Sequence, residues 1–261
     1  MAGQINLKVE AVLMKTKRKN IKLVLFMTIF AFFSCIFALP YTTIALKVPA
    51  GLEMSQTRLL VLMMINLTVG SFLASLIGLY LGPKVGLKAD ILRNWVYKDT
   101  GAKFNRQTVL FSAVLGAIVT FFVLLIDKFI FLPMVPEIAE LPTVGNVNFL
   151  IGLSTVFQGG YTEEVLMRFG GVTLIVWLLS IIFKKKPAWI YVTAIFLIAI
   201  YFGIGHIGAF GPDPSAMLVF RTIVLNAMLG VATGFLYWKK GLEYAMIAHI
   251  MADIIIHSFF G

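Results

Sequence analysis

The chain has 261 residues, of which 60% are hydrophobic and 13% charged, with a formal net charge of +10 at pH 7. A soluble domain of this size cannot bury so much apolar surface, because much of any folded surface faces water. The composition therefore excludes an ordinary soluble domain and predicts a polytopic membrane protein. The basic residues lie mostly in short segments between apolar runs, a placement that orients helices against an anionic leaflet and argues against nucleic acid as a partner.

Apolar runs long enough to cross a bilayer follow one another along the chain, since a spanning helix needs roughly 20 such residues. They predict an all-α transmembrane bundle that forms a single integral membrane domain over residues 1–261, without an internal repeat. The first run is longer than the core of a signal peptide, so we expect an uncleaved span. About seven spans are predicted, near residues 23–46, 59–82, 108–133, 148–183, 188–210, 216–238 and 242–260.

The fourth apolar run, residues 148–183, is too long for one straight span. The pair Gly159-Gly160 is the expected breaking point, because glycine weakens a helix interior. We therefore expect a short helical or re-entrant piece first and then a helix from about Thr162 to Phe183.

Basic loops alternate with weakly charged or acidic ones. The loop 134–147 carries Glu137 and Glu140, and the positive-inside rule then predicts a multi-pass protein of the cell membrane with a cytoplasmic N-terminus and an outside C-terminus. The first basic loop is also long enough for an interfacial helix anchored by Trp95 and Tyr97. The basic segments that would share the cytoplasmic side are the N-terminus and residues 83–107, 184–186 and 239–240.

Ionisable side chains interrupt some of these runs, although a charge inside a bilayer costs several kcal/mol and must face a protein interior or a water-filled cavity. Glu163 and Glu164 lie in the fourth run. Glu164 and Arg168 have the i, i+4 spacing of an ion pair on one helix face. Glu163 is then left without a partner on its own helix and is free to point into a cavity.

All three histidines of the chain lie in its C-terminal part. Phe202 and His206 share one face of the fifth span, while His249, Asp253 and His257 share one face of the seventh. A glutamate with two histidines from other helices can position and deprotonate a water, or bind a metal such as zinc. Asp253 could orient His249 or hydrogen-bond the substrate. A proton-coupled transporter with the same side chains as a relay and a non-catalytic, immunity-type protein are the alternatives.

Three short motifs carry a resemblance to a known family. EEVLMR at Glu163–Arg168, FGIGH at Phe202–His206 and HIMAD at His249–Asp253 look like the EExxxR, FxxxH and HxxxN/D motifs of one intramembrane protease family. That family, called CPBP or Abi, includes the CAAX-prenyl endopeptidases and bacteriocin-processing enzymes. The resemblance implies N-terminal spans over 1–147, a catalytic core over 148–261 with a polar cavity inside the bilayer, and membrane-associated proteins or peptides as substrates.

The resemblance also implies a role for each matched residue. Glu163 would activate water with help from His206, while His249 and Asp253 would stabilise the oxyanion. Asp253 stands where prenyl-protein endopeptidases usually have Asn, and an ionised Asp would repel the developing charge. A protonated Asp, or one that orients His249, would resolve this conflict. The catalytic set is Glu163, Glu164, His206, His249 and Asp253, supported by Arg168, Phe202 and Asn226.

Two further questions are left open by the sequence. A divalent metal such as zinc, held by Glu163, His206 and His249, and a glutamate mechanism without metal are both compatible with these residues. On straight helices, Glu163 and His206 fall in the outer half of the membrane, whereas His249 lies about 10–12 Å from the inner end of its span. Tilt or a broken fourth run is needed to bring them together.

On the sixth span, Gly230 and Gly234 predict close helix packing, with Asn226 on the same face.

Overall fold

The computed structural model describes residues 2–46, 48, 53–135, 137, 138, 141, 143, 146–210 and 213–260, with side chains from Asn20 onward. Within these ranges the chain is helical and has no strand, and seven helical segments are long and apolar enough to cross a membrane. The predicted fold class is therefore confirmed. Glu140 lies outside the described residues. The seven segments are Asn20–Phe37, Gln56–Val85, Arg106–Phe131, Phe149–Phe183, Ala188–Phe210, Ala216–Lys240 and Leu242–Phe259.

Both α- and π-helical winding occur in the described chain. The α-helices are α1 (Ala2–Phe37), α2 (Leu39–Ala45), α3 (Gln56–Leu81), α4 (Asp90–Tyr97), α5 (Arg106–Ile126), α6 (Phe149–Leu153), α7 (Thr173–Phe183), α8 (Ala188–Gly205), α9 (Ala216–Lys240) and α10 (Leu242–Asp253). The π-helical segments are Asp127–Phe131, Gln158–Glu163, Val165–Val172 and Ile254–Phe259.

The first span ends earlier than the sequence predicts. Helix α1 stops at Phe37, and the short helix α2 follows after a turn at Ala38. Pro40 explains this interruption, because proline has no backbone N–H to donate and its ring clashes with the preceding turn. The continuous span over 23–46 expected from hydrophobicity is thus two helices.

The fourth apolar run begins with the short helix α6, as expected, but Gly159-Gly160 does not break the chain. Both glycines lie inside the π-helical segment Gln158–Glu163, and a second π-helical segment, Val165–Val172, leads into α7. A π-helix uses i→i+5 hydrogen bonds, so it places more residues in each turn than an α-helix does. The interruption lies earlier than predicted, at the turn formed by Ser154 and Thr155 after α6, and Gly159-Gly160 lie in the wider winding that follows.

Helix α10 is seated among close neighbours. A Cβ atom at Gly116 of α5 would overlap the carbonyl oxygen of Ala248, and one at Gly160 would overlap the side chain of Ile250. Glycine permits this approach because it has no side chain to keep two backbones apart. The position of α10 along and around its axis is consequently fixed by contacts on more than one side.

The beginning of α10 is tied to the segment before α5. The backbone N–H of Leu242 donates to the carbonyl of Lys88 at 3.1 Å, and the backbone N–H of Leu92 donates to Oε1 of the buried Glu243 at 2.8 Å. Helix α4 lies in this segment, where the sequence predicts a helix, and its Trp95 side chain is 60% exposed. Because a carboxylate at a helix N-terminus satisfies otherwise unpaired N–H groups, Glu243 stabilises α4 and holds it against α10.

Helices α8 and α9 pack closely through the two glycines that the sequence indicates. A Cβ atom at Gly230 would lie 2.9 Å from Cβ of Ala199, and one at Gly234 would lie 2.7 Å from Cγ2 of Ile195. The predicted close approach of the sixth span is therefore confirmed, and it brings α8 and α9 side by side next to the fourth span.

Candidate active site

Glu164 and Arg168 form the ion pair that their spacing predicts. Arg168 Nη1 lies 3.3 Å from Glu164 Oε1, and the two side chains are 1% and 0% exposed. The same carboxylate oxygen accepts a hydrogen bond from Nδ1 of His249 at 2.7 Å. Glu164 therefore joins its own helix to α10 and fixes one ring nitrogen of His249, which leaves Nε2 to face other partners.

Nε2 of His249 faces the two remaining carboxylates of the cluster. It lies 3.8 Å from Oε2 of Glu163 and 3.6 Å from Oδ1 of Asp253. Three carboxylates, those of Glu163, Glu164 and Asp253, thus surround one imidazole. Their negative charges stabilise a positive charge on the ring, because opposite charges attract more strongly away from bulk water.

Phe202 connects this cluster to His206. Its ring lies 5.8 Å from the His249 ring and 4.7 Å from the His206 ring, between ring centroids, and the Arg168 guanidinium lies over it at 5.0 Å. Nδ1 of His206 pairs with the backbone carbonyl of Phe202 at 2.8 Å, which holds the ring in one orientation. The structure thus joins the fourth, fifth and seventh spans at these residues.

Glu163 is the most accessible carboxylate of the cluster. Its side chain is 18% exposed, compared with 0% for Glu164 and 7% for Asp253. The residue before it, Thr162, is hydrogen-bonded through its hydroxyl to Ser34 of α1, so the first span fixes this turn. An acid that is partly exposed and held by its neighbours is suited to contact a substrate or water molecule.

The different membrane depths expected on straight helices are not observed at Glu163 and His249, since their side chains lie within 4 Å of each other. The fourth run is divided into α6 and two π-helical segments before α7, so it is not the straight α-helix on which the expected depths rest. Glu163 and Glu164, which precede α7, both contact His249.

Asn226 is not shown to take part in the cluster. Its Nδ2 atom donates to the carbonyl of Thr222 on its own helix at 2.8 Å. The sixth span instead approaches the cluster at Gly230, where a Cβ atom would lie 3.4 Å from Nη2 of Arg168. The supporting role of Asn226 stays a prediction, whereas that of Arg168 and Phe202 agrees with their contacts.

Three residues that the sequence does not assign to the catalytic set or its support lie around Asp253. Nε2 of His257 lies 3.9 Å from Oδ1 of Asp253, the ring of Tyr41 in α2 lies 4.9 Å from the ring of His257, and Gly159 packs against Oδ2 of Asp253. His257 has a sequence signal, the i+4 spacing from Asp253. Tyr41 has none, because nothing in the sequence indicates that α2 folds against the last span.

The three residues considered as metal ligands do not form a ligand set. In the ranges that the structure describes, no group of three or more His, Cys, Asp or Glu side chains has the arrangement to hold a metal ion. Nδ1 of His249 is hydrogen-bonded to Glu164 and Nδ1 of His206 to a backbone carbonyl, so Nε2 is the ring nitrogen that each histidine has left for another partner. The metal-dependent and the metal-free reaction both stay predictions.

Comparison with known proteins gives one match. Residues 145–255 match the family model described as "Rce1-like: Type II CAAX prenyl endopeptidase Rce1-like". This range contains all three motifs and every residue of the carboxylate and histidine cluster except His257. No curated protein and no solved structure matches the chain.

Proposed function

We propose that this chain is an intramembrane endopeptidase in which Glu163 activates the attacking water, because residues 145–255 match the family model of type II CAAX prenyl endopeptidases. The observation that supports this most directly is the side-by-side position of Glu163 and His249, with Oε2 and Nε2 separated by 3.8 Å. A partly exposed carboxylate next to a fixed imidazole combines a general base with a hydrogen-bond donor, which is what hydrolysis of a peptide bond needs.

In the first step, Glu163 removes a proton from water while the water oxygen forms a bond to the carbon of the scissile carbonyl. The carbonyl electron pair moves to oxygen and gives a tetrahedral oxyanion. His206, held by the carbonyl of Phe202, is proposed to help orient this water, as the family resemblance implies. The 3.8 Å between Oε2 of Glu163 and Nε2 of His249 leaves both atoms within reach of one small molecule.

The oxyanion is proposed to be stabilised by Nε2–H of His249. Its other ring nitrogen donates to Glu164, which is in turn paired with Arg168. A fixed donor of this kind costs little reorganisation when charge develops, and loss of one such donor typically lowers kcat by about 10²–10³-fold. Asp253 then acts on His249, 3.6 Å away, and not directly on the oxyanion.

In the second step, the tetrahedral intermediate collapses and the carbon–nitrogen bond breaks. The proton carried by Glu163 passes to the departing amine, so Glu163 returns to its carboxylate form. The products are a new C-terminal carboxylic acid and a new N-terminal amine. The acid carries the second proton of the attacking water and loses it to the amine or to bulk water, which leaves a carboxylate. Every group required is a residue of the cluster or water.

The test is cleavage by purified protein in proteoliposomes. Two peptide sets are supplied, farnesylated peptides ending in Cys-a-a-X and unprenylated membrane peptides, so that the substrate class is read from the products. Glu163→Gln should lower kcat by about 10²-fold or more, because a positioned general base contributes that much. Glu137→Gln, at an exposed glutamate outside the cluster, is the matched control and should retain full turnover.

Several outcomes would contradict the proposal. Full activity of Glu163→Gln would remove the general base from the mechanism. Loss of activity with a chelator and its return with zinc would show a metal-dependent hydrolase. Coupled ion flux in the same vesicles without any peptide cleavage would favour a proton-coupled transporter, and a biological activity that Glu163→Gln retains would favour a non-catalytic protein.

A further inference from the structure

Asp253 is placed between two imidazole rings. Its Oδ1 atom lies 3.6 Å from Nε2 of His249 on one side and 3.9 Å from Nε2 of His257 on the other. Its Oδ2 atom is buried, packs against Gly159, and has no hydrogen-bond partner within the described part of the chain. The carboxylate therefore relies on the two histidines for polar contact.

This arrangement creates a competition for the His249 ring. The proposed mechanism needs Nε2–H of His249 to point at the oxyanion, yet an unsatisfied buried carboxylate is a strong acceptor for the same proton. An asparagine at this position could donate a hydrogen bond, whereas an ionised aspartate can only accept one. With aspartate here, another donor is needed if His249 is to stay available.

The geometry points to His257 as that donor: we propose that His257 is a positioning residue that hydrogen-bonds Asp253 and so leaves Nε2–H of His249 for the reaction. This inference rests on the proposed endopeptidase function and extends it to a residue outside the three motifs. His257 is one helical turn after Asp253, and its ring contacts Tyr41 at 4.9 Å between centroids.

The environment of His257 suits this role. It lies in the π-helical segment Ile254–Phe259, and its side chain is 28% exposed, compared with 7% for Asp253, so the ring is less tightly enclosed than the carboxylate. The present distance of 3.9 Å is about 0.7 Å beyond the upper limit of a direct N–H···O hydrogen bond, and catalytic hydrogen bonds often tighten only when substrate is bound. Tyr41 from α2 packs on the ring and limits its other orientations.

The kinetic test is a double-mutant cycle on residues 253 and 257 with the peptide turned over fastest by the unaltered protein. His257→Ala should lower kcat about tenfold with little change in KM, a size typical of coupled neighbours. In the Asp253→Asn background, His257→Ala should change kcat less than about twofold, because asparagine no longer competes for His249. His257→Gln, which keeps a side-chain N–H, should retain most of the activity.

Ser258 provides a matched control for packing, since it is buried on the same turn. Ser258→Ala should leave kcat unchanged. If His257→Ala lowers kcat equally with aspartate and with asparagine at position 253, the residue acts only through packing and the inference is wrong. If the unaltered protein cleaves no peptide, the proposed function fails, and the inference is decided by the spectroscopic test.

That second test needs no substrate. The chain has three histidines, so ¹⁵N-histidine NMR in micelles gives signals from three imidazole rings, with two ring nitrogens in each, and single substitutions assign them. His257→Ala should shift the Nε2 resonance of His249 when residue 253 is aspartate and leave it in place when residue 253 is asparagine. An unshifted resonance in the aspartate protein would overturn the inference.

Discussion

The Glu164–Arg168 pair determines what the residues around it can do. Both side chains are fully buried, and Glu164 also accepts a hydrogen bond from His249. A buried charge without a partner is far more costly than a buried pair, because the desolvation free energy is then no longer offset by attraction. Glu164 is therefore committed to structure, and Glu163 is the acid left for chemistry.

Removal of the arginine should be strongly destabilising. Arg168→Met leaves Glu164 without its cation and should lower the free energy of unfolding by about 3–5 kcal/mol. The double variant Glu164→Gln with Arg168→Met should lose less than the sum of the two single losses, since no unpaired charge is left buried. Unfolding of the purified protein in detergent micelles measures these differences.

Arg221 gives the matched control. It forms an ion pair with Asp127 at 2.6 Å, but the two side chains are 15% and 23% exposed, so water can partly solvate the partner that is left. Arg221→Met should therefore be clearly less destabilising than Arg168→Met. Equal decreases in the free energy of unfolding at the two sites would mean that burial does not determine how much each ion pair contributes to stability.

At the scale of elements, the position of helix α10 decides whether the cluster forms. Ala248, which directly precedes His249, packs against Gly116 of α5 at backbone distance. A side chain at Gly116 can be accommodated only if α10 moves, because a neighbouring backbone cannot rotate away as a side chain can. His249 would move with it, relative to the carboxylates of the fourth span.

Substitution of this glycine should affect turnover more than its distance from the carboxylates suggests. Gly116→Leu should destabilise the fold by about 1–3 kcal/mol through overpacking. It should also lower kcat about 10²-fold, because displacements near 1 Å are costly in catalysis. Peptide cleavage and unfolding in micelles are measured on the same preparation.

Gly208 serves as the comparison for this variant, because a Cβ atom there would meet nothing within 4 Å. Gly208→Leu should leave both the free energy of unfolding and kcat nearly unchanged. Normal activity of Gly116→Leu would show that the contact between α5 and α10 does not hold His249 in place.

At the scale of the whole molecule, the seven candidate spans among the described residues agree in number with the predicted topology. In that prediction the two ends of the chain lie on opposite sides of the membrane, and the positive-inside rule places the basic loops in the cytoplasm. The segment with α4, which contacts the beginning of α10, would therefore lie at the cytoplasmic face.

Cysteine labelling can test this orientation, since the chain has one cysteine, Cys35, and it is buried. In a Cys35→Ala background, Asp213→Cys should react with a membrane-impermeant maleimide in intact cells. Lys185→Cys should react only in inverted vesicles. Both positions are exposed in the structure, so access depends on the side of the membrane, and the reverse pattern would overturn the predicted orientation.

Hydrophobicity and spacing were sufficient for the features that depend on local pattern. Long apolar runs predict spans because the bilayer leaves few other states for them. The i, i+4 rule predicts the Glu164–Arg168 pair, and the Gly230–Gly234 spacing predicts the contact of α8 with α9. Hydrophobicity alone predicts a first span that is too long, because it does not take account of Pro40, the residue that explains why α1 ends.

Only the tertiary structure could decide how the spans bring their polar residues to one depth. Counting along straight α-helices places Glu163 and His249 at different depths, whereas their side chains lie 3.8 Å apart in the structure. The contact of Asp253 with Gly159 joins the seventh span to the fourth, which no local pattern in the sequence predicts. The sequence by itself determined which residues are costly in a membrane, because that cost belongs to each side chain. The structure decided which of them share partners, because distances between helices depend on packing across the whole bundle.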